Sequence, residues 1–569
     1  MLRAVLLLFL FVSCTVSGRT GAGSSGLLLI SGGTIVTLND SRPEVEALLV
    51  REGTISAMGT LEQVLGEPGA VEAERYDLKG QTLYPGFVDG HAHLVGIGMN
   101  LLQVDVMGTS SYQAVVQRVQ RFAEQNPVEE GGWIQGRGWD QNDWPTKRFP
   151  THERLSRAFP DTPVVLGRVD GHAILANRKA MDLAGITAET PDPEGGAIVR
   201  DRNGRATGVF IDTAESLIWR HVPGSDAGEM EQAIKLAAKA LQESGITAIH
   251  DAGIDQETVD ICRRLAARGE LGIRVYGLVP GSQAEQLEAW LERGPLEDPS
   301  GQVTVRAIKL YADGALGSRG AALLEDYTDD PGNRGLLITP AARIQEVSER
   351  ALEAGFQVCT HAIGDRANRL VLDAYEAAFE KARARGGNPS DHRFRVEHAQ
   401  VIAPEDIPRF RQLGVIPSMQ TQHQASDSPW AEDRLGPARV KGAYAWRALL
   451  ETGVVICGGS DAPVEVLDPI GAFRAAVTRT NDKGWPIGGW YAEQCMTRRE
   501  ALLHLTAWPA YAAFEEDVAG VLRPGVRADF TVLDVDLRAQ PEPELDRARV
   551  AATIFNGEVV FQARLRSRA

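Results

Sequence analysis

Short apolar runs alternate with helix-like stretches through residues 85–513, and this alternation limits the architectures open to the chain. The runs include PVVLGRV, GITAIHDAG, GIRVYGLV, VTVRAIKLYADG, FQVCTHAIGD, FRVEHAQ, GVIPSMQ and VVICGGSDA. Between them lie stretches such as MEQAIKLAAKALQESG and AARIQEVSERALEAGF, with Gly245 and Gly355 placed to end a helix. Strand–helix alternation calls for a parallel sheet covered by helices, and this many units predicts an α/β fold, a TIM-like (β/α)8 barrel. Residues 131–225, rich in Trp, Pro and Gly, read as a lid-like insertion.

The two ends of the chain have a different texture. LLLISGGTIVTL and ALLVREGTISAMG near the start, and ADFTVLDVDL and VAATIFNGEVVF near the end, are short alternating runs joined by glycine turns. Residues 26–84 and 514–569 are therefore expected to form two halves of one small β-sandwich domain. At 569 residues the chain exceeds the size at which one core keeps growing, which suits a large domain plus a small one.

Residues 1–25 open with Met1-Leu2-Arg3 and the run AVLLLFLFV, which is too short to span a bilayer as a helix. A basic start, an apolar run and small polar residues read as a secretory leader, so export to the periplasm or beyond is expected. Cys14 after Ser13 is a candidate lipid anchor, although Phe11 suits that processing poorly. Cys262, Cys359, Cys457 and Cys495 show no CxxC spacing, so neither a zinc ribbon nor a disulfide framework is implied.

A net charge of −17 argues against a nucleic-acid partner, since phosphate binding needs a basic face. The expected partner is a small molecule, with a second copy of the chain as a candidate homodimer partner.

Several strand-like runs end in side chains that bind metals. His91 and His93 share a face in PGFVDGHAH. Lys309 ends VTVRAIKLY, where strict alternation would put Val303, Val305, Ala307 and Lys309 on one face. A lysine ending an inward apolar row must lose its charge, find a partner or be modified. By the same alternation Val396 and His398 share a face, as do Val455, Cys457, Gly459 and Asp461. His361 ends FQVCTHA. Polar residues at strand ends lie where a barrel carries its active site, and imidazoles with carboxylates suit Zn²⁺ or a similar cation.

The motifs PGFVDGHAHL, GRGWDQNDW, RVDGHAILAN, IKLYADGALGSRGAAL, THAIGDRAN, VEHAQ, PSMQTQH and GGSDAPVE together resemble the YtcJ-like branch of amidohydrolase family 3. Departures are mild: Ala315 and Gly320 stand where the family more often has Ser and Thr, and Thr421 where it often has Pro. The resemblance implies two divalent ions, zinc being the first expectation. His91 and His93 would hold one with Asp461 nearby, His361 and His398 the other, and a carboxylated Lys309 would bridge them. A metal-bound hydroxide would then hydrolyse a carbon–nitrogen bond other than a peptide bond, in a small amide or N-acyl substrate, with Asp461 as general base and then acid. Ester, lactone or cyclic-amide hydrolysis on the same site is the alternative, and an inactive scaffold a remote one. Asp170, His172, Trp139, Asp140, Arg319 and His423 are candidate substrate contacts. His250 is expected to be structural.

Overall fold

The computed structural model describes residues 26–128, 131–223 and 226–564. The expected leader and the candidate lipid site at Cys14 lie outside the described residues. Among the described residues no helix is long and apolar enough to cross a membrane.

Eight parallel strands form the centre: β1 (Phe87–Ala92), β2 (Ile246–Asp251), β3 (Arg274–Pro280), β4 (Val303–Tyr311), β5 (Gln357–Ala362), β6 (Arg395–His398), β7 (Ile416–Met419) and β8 (Cys457–Gly458). Each pairs with the next in this order. Past β8 the chain returns to β1, where Asp461 N–H donates to His91 O at 2.7 Å and His93 N–H donates to Ala462 O at 2.8 Å. Glycine makes this seam: a Cβ on Gly90 would lie 2.4 Å from Gly458 O and 2.5 Å from Cys457 Sγ, and one on Gly459 would lie 2.5 Å from His91 N. A TIM-like barrel results.

The intervening helices pack apolar stripes against the strands. In helix Ala227–Glu243, Asp226 caps the first turn by accepting from Gly228 and Glu229 N–H, and Ala233, Ile234, Ala237, Ala238 and Leu241 are buried at three- and four-residue spacing. The helix ends before Gly245 at φ +82°, and helix Ala341–Ala354 ends at Gly355 at φ +81°.

Strict alternation fails in β4. Gly277 pairs with Val305 and Leu278 with Ala307, so Arg306 is an extra residue in the ladder. This bulge moves the pleat by one position. Val303, Val305 and Ile308 pack in the same cluster as helix residues such as Ile344 and Val347, whereas Ala307 packs inside the barrel with Tyr276, Leu278 and Cys359. Val303 and Val305 therefore do not share a face with Lys309.

Between β1 and β2 the chain builds a second sheet of six strands, in the order Val104–Asp105, Ile134–Trp139, Val164–Arg168, Ala173–Ala176, Ala206–Asp212 and Gly196–Arg200. The excursion thus begins well before residue 131, and PVVLGRV belongs to it rather than to the barrel. Val165 packs on one face with Ile174, Met181 and Phe210, while Val164 and Leu166 pack on the other with Val115 and Trp139. Burial on both faces gives this strand the continuous apolar run of a barrel strand.

The chain ends meet in a third sheet, where Thr82–Pro85 pairs antiparallel with Phe530–Leu533. Its strands are joined as one continuous hydrogen-bonded sheet, with apolar clusters around Ile30, Leu83 and Phe530 and around Leu29, Leu49 and Val64. Asp529 ties it to the barrel, accepting from Arg274 Nε at 2.7 Å.

Gly90→Ala should lower the thermal midpoint of unfolding, because the added methyl forces β1 and β8 apart and such overpacking costs about 1–3 kcal/mol. Scanning calorimetry reads the shift, and an unchanged midpoint would mean the seam parts freely.

Candidate active site

The C-terminal ends of the barrel strands converge on a cavity of about 560 Å³. His93, Lys309, His361, His398 and Asp461 line it, and His91 lies fully buried behind them. Asp461 is central: its Oδ1 is 3.2 Å from His93 Nε2 and 3.5 Å from His91 Nε2, and its Oδ2 is 3.3 Å from His423 Nε2. Ligand atoms of His91, His93 and Asp461 lie within 4.8 Å of one another, and so do those of His398, His423 and Asp461. The His361 ring is 4.6 Å from that of His398, which is 4.8 Å from His91. All six expected ligands are thus brought together, and His423, expected only as a substrate contact, stands among them.

Two of these side chains arrive by unusual backbone. His398 has φ +70° and Asp461 φ +59°, in the left-handed region that costs a non-glycine residue energy. In β6 it is Arg395 and Glu397 that face the barrel interior, while Val396 packs outward with Val371 and Tyr375. His398 therefore reaches the cavity by a turn of the main chain and not by sharing a face with Val396.

Neighbouring groups fix which ring nitrogens are free. Glu397 accepts from His91 Nδ1, and Gln420 Oε1 lies 2.8 Å from His398 Nδ1, leaving Nε2 of both rings for the cavity side. His361 turns Nε2 towards Gly314 O at 3.4 Å, which leaves Nδ1. Burial holds His361 and His398 well below the usual histidine range and lowers His93, so these rings are neutral, the form that binds a cation. Burial also pushes the Asp461 carboxyl up, but hydrogen bonds from His423, His91 and His93 outweigh it and hold the group well below the carboxylate range.

Lys309 is 1% exposed, with Nζ 3.3 Å from His91 Nε2 and 4.9 Å from the centre of the Tyr311 ring. Among the described residues it has no carboxylate within ion-pair distance, and burial lowers its pKa. A buried, unpaired lysine beside neutral imidazoles and a carboxylate is a donor set that fits divalent cations.

The insertion supplies the facing wall. Asp140, Asp170 and His172 line the cavity, as does His423 from the barrel side. Arg168 Nη2 donates to Asp140 Oδ1 at 2.6 Å and Nη1 bonds Asp170, so one buried guanidinium holds both carboxylates. His172 Nδ1 is 2.8 Å from Asp212 Oδ1; burial opposes its charge, but Asp212 raises it to about 9. His423 is raised to about 10 against burial by Asp461 and by Glu465, whose Oε1 is 3.0 Å from Nδ1. Trp139 and Arg319 are not part of the lining. Trp139 is buried in the insertion core with Nε1 donating to Leu166 O at 2.8 Å, and Arg319 pairs with Asp329 at 2.8 Å.

Glu397, Arg395, Asp212 and Glu465 escaped the sequence reading. Arg395 and Glu397 did leave a signal, since they alternate in FRVEHAQ immediately before His398. His250 lies inside the barrel, 3.1 Å from Arg395 Nη1, as a structural residue would.

Residues 74–561 match the amidohydrolase family. The chain is 34% identical over 536 residues to the YtcJ protein of Bacillus subtilis, covering 93% of this chain and 98% of that one. It is 26% identical to the N-substituted formamide deformylase of Arthrobacter pascens, over 94% of this chain and 98% of the relative. The crystal structure of an uncharacterized metal-dependent hydrolase from Pyrococcus horikoshii superposes with a TM-score of 0.73 at 28% identity, over 91% of this chain and 99% of that one. With this coverage and this arrangement of strand ends, the chain belongs to the amidohydrolase family, in its YtcJ-like branch, and is a hydrolase.

Proposed function

We propose that the protein hydrolyses a carbon–nitrogen bond, other than a peptide bond, in a small amide or N-acyl compound, with divalent cations held among His91, His93, Lys309, His361, His398 and Asp461. The observation that carries this reading is the convergence of His91, His93, His398 and His423 on a single carboxylate, Asp461, at the mouth of the barrel, with Lys309 and His361 lining the same cavity. Similarity to a formamide deformylase supports an amide bond over an ester. Zinc suits the nitrogen and oxygen donors.

When bound, such cations supply a water brought close to neutral pKa and an electrophile for the scissile carbonyl. The side chains do the rest. Asp461, ionised at rest, accepts the proton of the attacking water and returns it to the leaving nitrogen. His423 Nε2, 3.3 Å from Asp461 Oδ2, keeps that carboxylate oriented and charged between turnovers. Glu397 and Gln420 hold the His91 and His398 rings in one orientation. His172, fixed by Asp212, offers Nε2 to a polar group of the substrate from the opposite wall.

Lys309 takes up carbon dioxide. Burial without a carboxylate partner favours its neutral amine, which adds to the carbon of CO2 and releases one proton, leaving a carbamate that would add anionic oxygen donors to those of Asp461 for holding the cations. Lys309→Ala should lose bound metal and essentially all turnover, and millimolar short carboxylic acids should restore part of both. Metal analysis with a rescue titration tests this; full metal content and turnover in the variant would remove the carbamate.

Asp461→Asn should retain much of its metal while kcat on a responsive amide falls about 10²–10⁴-fold, the usual contribution of a positioned acid–base group. Metal content and kcat measured on one preparation decide it, and near-normal kcat would assign the proton to another group.

A further inference from the structure

Arg137 lies on the insertion strand Ile134–Trp139, lines the cavity and has no assigned part in the chemistry above. Its surroundings are built around it. The pairing of this strand with Val164–Arg168 shifts register between Arg137 and Trp139, and the residue between them is Gly138 at φ +108°. A Cβ on Gly138 would lie 2.7 Å from Met107 N, so only glycine lets the strand bend there. Bulges of this kind re-aim a side chain beside a functional site. Here the bulge follows the one residue of the strand that carries a positive charge.

The guanidinium is held but not neutralised. Nη2 donates to Val169 O at 2.6 Å, and Nε is sealed from solvent with no hydrogen-bond partner. Among the described residues no carboxylate lies within ion-pair distance of it. Burial lowers its pKa, and the acidic groups that feel its charge, Asp461, Asp170 and Glu215, act at longer range. Arg168 on the same wall is different, since Asp140 and Asp170 already engage it on both sides. Among the described residues no hydrogen bond engages Nη1 of Arg137, which is the donor left open. A desolvated guanidinium with an open edge favours a carboxylate over any neutral group.

We infer that Arg137 binds a carboxylate carried by the substrate, so that the preferred compounds are amides with a free acid group near the scissile bond. This rests on the amide-hydrolase reading above and narrows it. The acid could belong to the amine portion, as in an N-acyl amino acid, or to the acyl portion, as in an N-alkyl succinamate.

The test compares acids with shape-matched neutral partners on the metal-loaded enzyme: N-acetylalanine against N-acetylalaninamide, and N-methylsuccinamate against N-methylsuccinamide. The wild type should favour the acid of one pair in kcat/KM, and which pair responds locates the carboxylate. In Arg137→Gln the acid-over-amide ratio should fall about 10- to 100-fold, the scale of one charge-assisted hydrogen bond, with the loss in KM rather than kcat; Arg137→Lys should recover part of it. A wild type that prefers the neutral partner in both pairs, or a ratio untouched by Arg137→Gln, would overturn the inference. Calorimetric binding of the four compounds separates it from the parent reading. Arg137-dependent binding of an acid without hydrolysis of any amide sinks the amide-hydrolase reading alone, and hydrolysis of neutral amides with no Arg137-dependent acid binding sinks this one alone.

Discussion

A fully buried ion pair inside the barrel, Arg395 with Glu397, holds the site together. Arg395 Nε donates to Glu397 Oε1 at 2.6 Å, Nη2 donates to Gly90 O at 2.9 Å, and Nη1 lies 3.1 Å from His250 Nδ1. Glu397 uses its other oxygen for His91. Three strands, β1, β2 and β6, are thereby cross-linked through one guanidinium. Burial works against both charges, yet each holds the other ionised: Arg395 stays well above and Glu397 well below its usual range. Such a pair adds little net stability over an apolar filling, but losing one partner strands a buried charge at a cost of about 3–5 kcal/mol. Its return is orientation, because His91 can face the cavity with Nε2 only while Glu397 accepts from Nδ1.

Around that fixed point, three of the proposed ligands, Lys309, His398 and Asp461, are aimed by departures from regular backbone. A strand offers alternate residues to one face, and β4, β6 and the segment after β8 each break that rule. The bulge at Arg306 turns Ala307 and Lys309 inward, and positive φ at His398 and Asp461 swings those side chains over the strand ends. The strain at the last two positions is tolerated because bonds on either side over-determine them: Asp461 N–H is held by His91 O, and Val401 N–H, three residues past His398, by Ile363 O. Gly90 and Gly459 then let the final strand come close enough for Asp461 to meet His91.

These departures explain which parts of the site could be read from the residues alone. The proposed ligands could be picked out because each ends an apolar run, and a strand end is where a polar side chain is exposed to a cavity whatever the local twist. The facing of Val303, Val305 and Val396 could not, since one extra residue or one positive φ reverses a face and neither has a clear signature in VTVRAIKLY or FRVEHAQ. PVVLGRV misled for a related reason: an insertion strand buried on both faces has the composition of a barrel strand. Arg395 and Glu397 passed unnoticed because alternating charges normally mark a solvated face.

The same reasoning separates reaction from selection. The six proposed ligand residues come from the barrel strands or the turns that follow them, and one of them, His91, is held by the Arg395–Glu397 pair at the barrel's centre. The opposite wall, with Asp140, Arg168, Asp170 and His172, comes from a sheet with its own cores, joined between β1 and β2. A barrel whose chemistry is fixed from inside can accept a different wall without disturbing its ligands, which is how one fold serves many substrates. Charge on that wall is mostly self-cancelling, Arg168 against two carboxylates and His172 against Asp212. Whatever remains uncancelled there is what a substrate entering the cavity must answer.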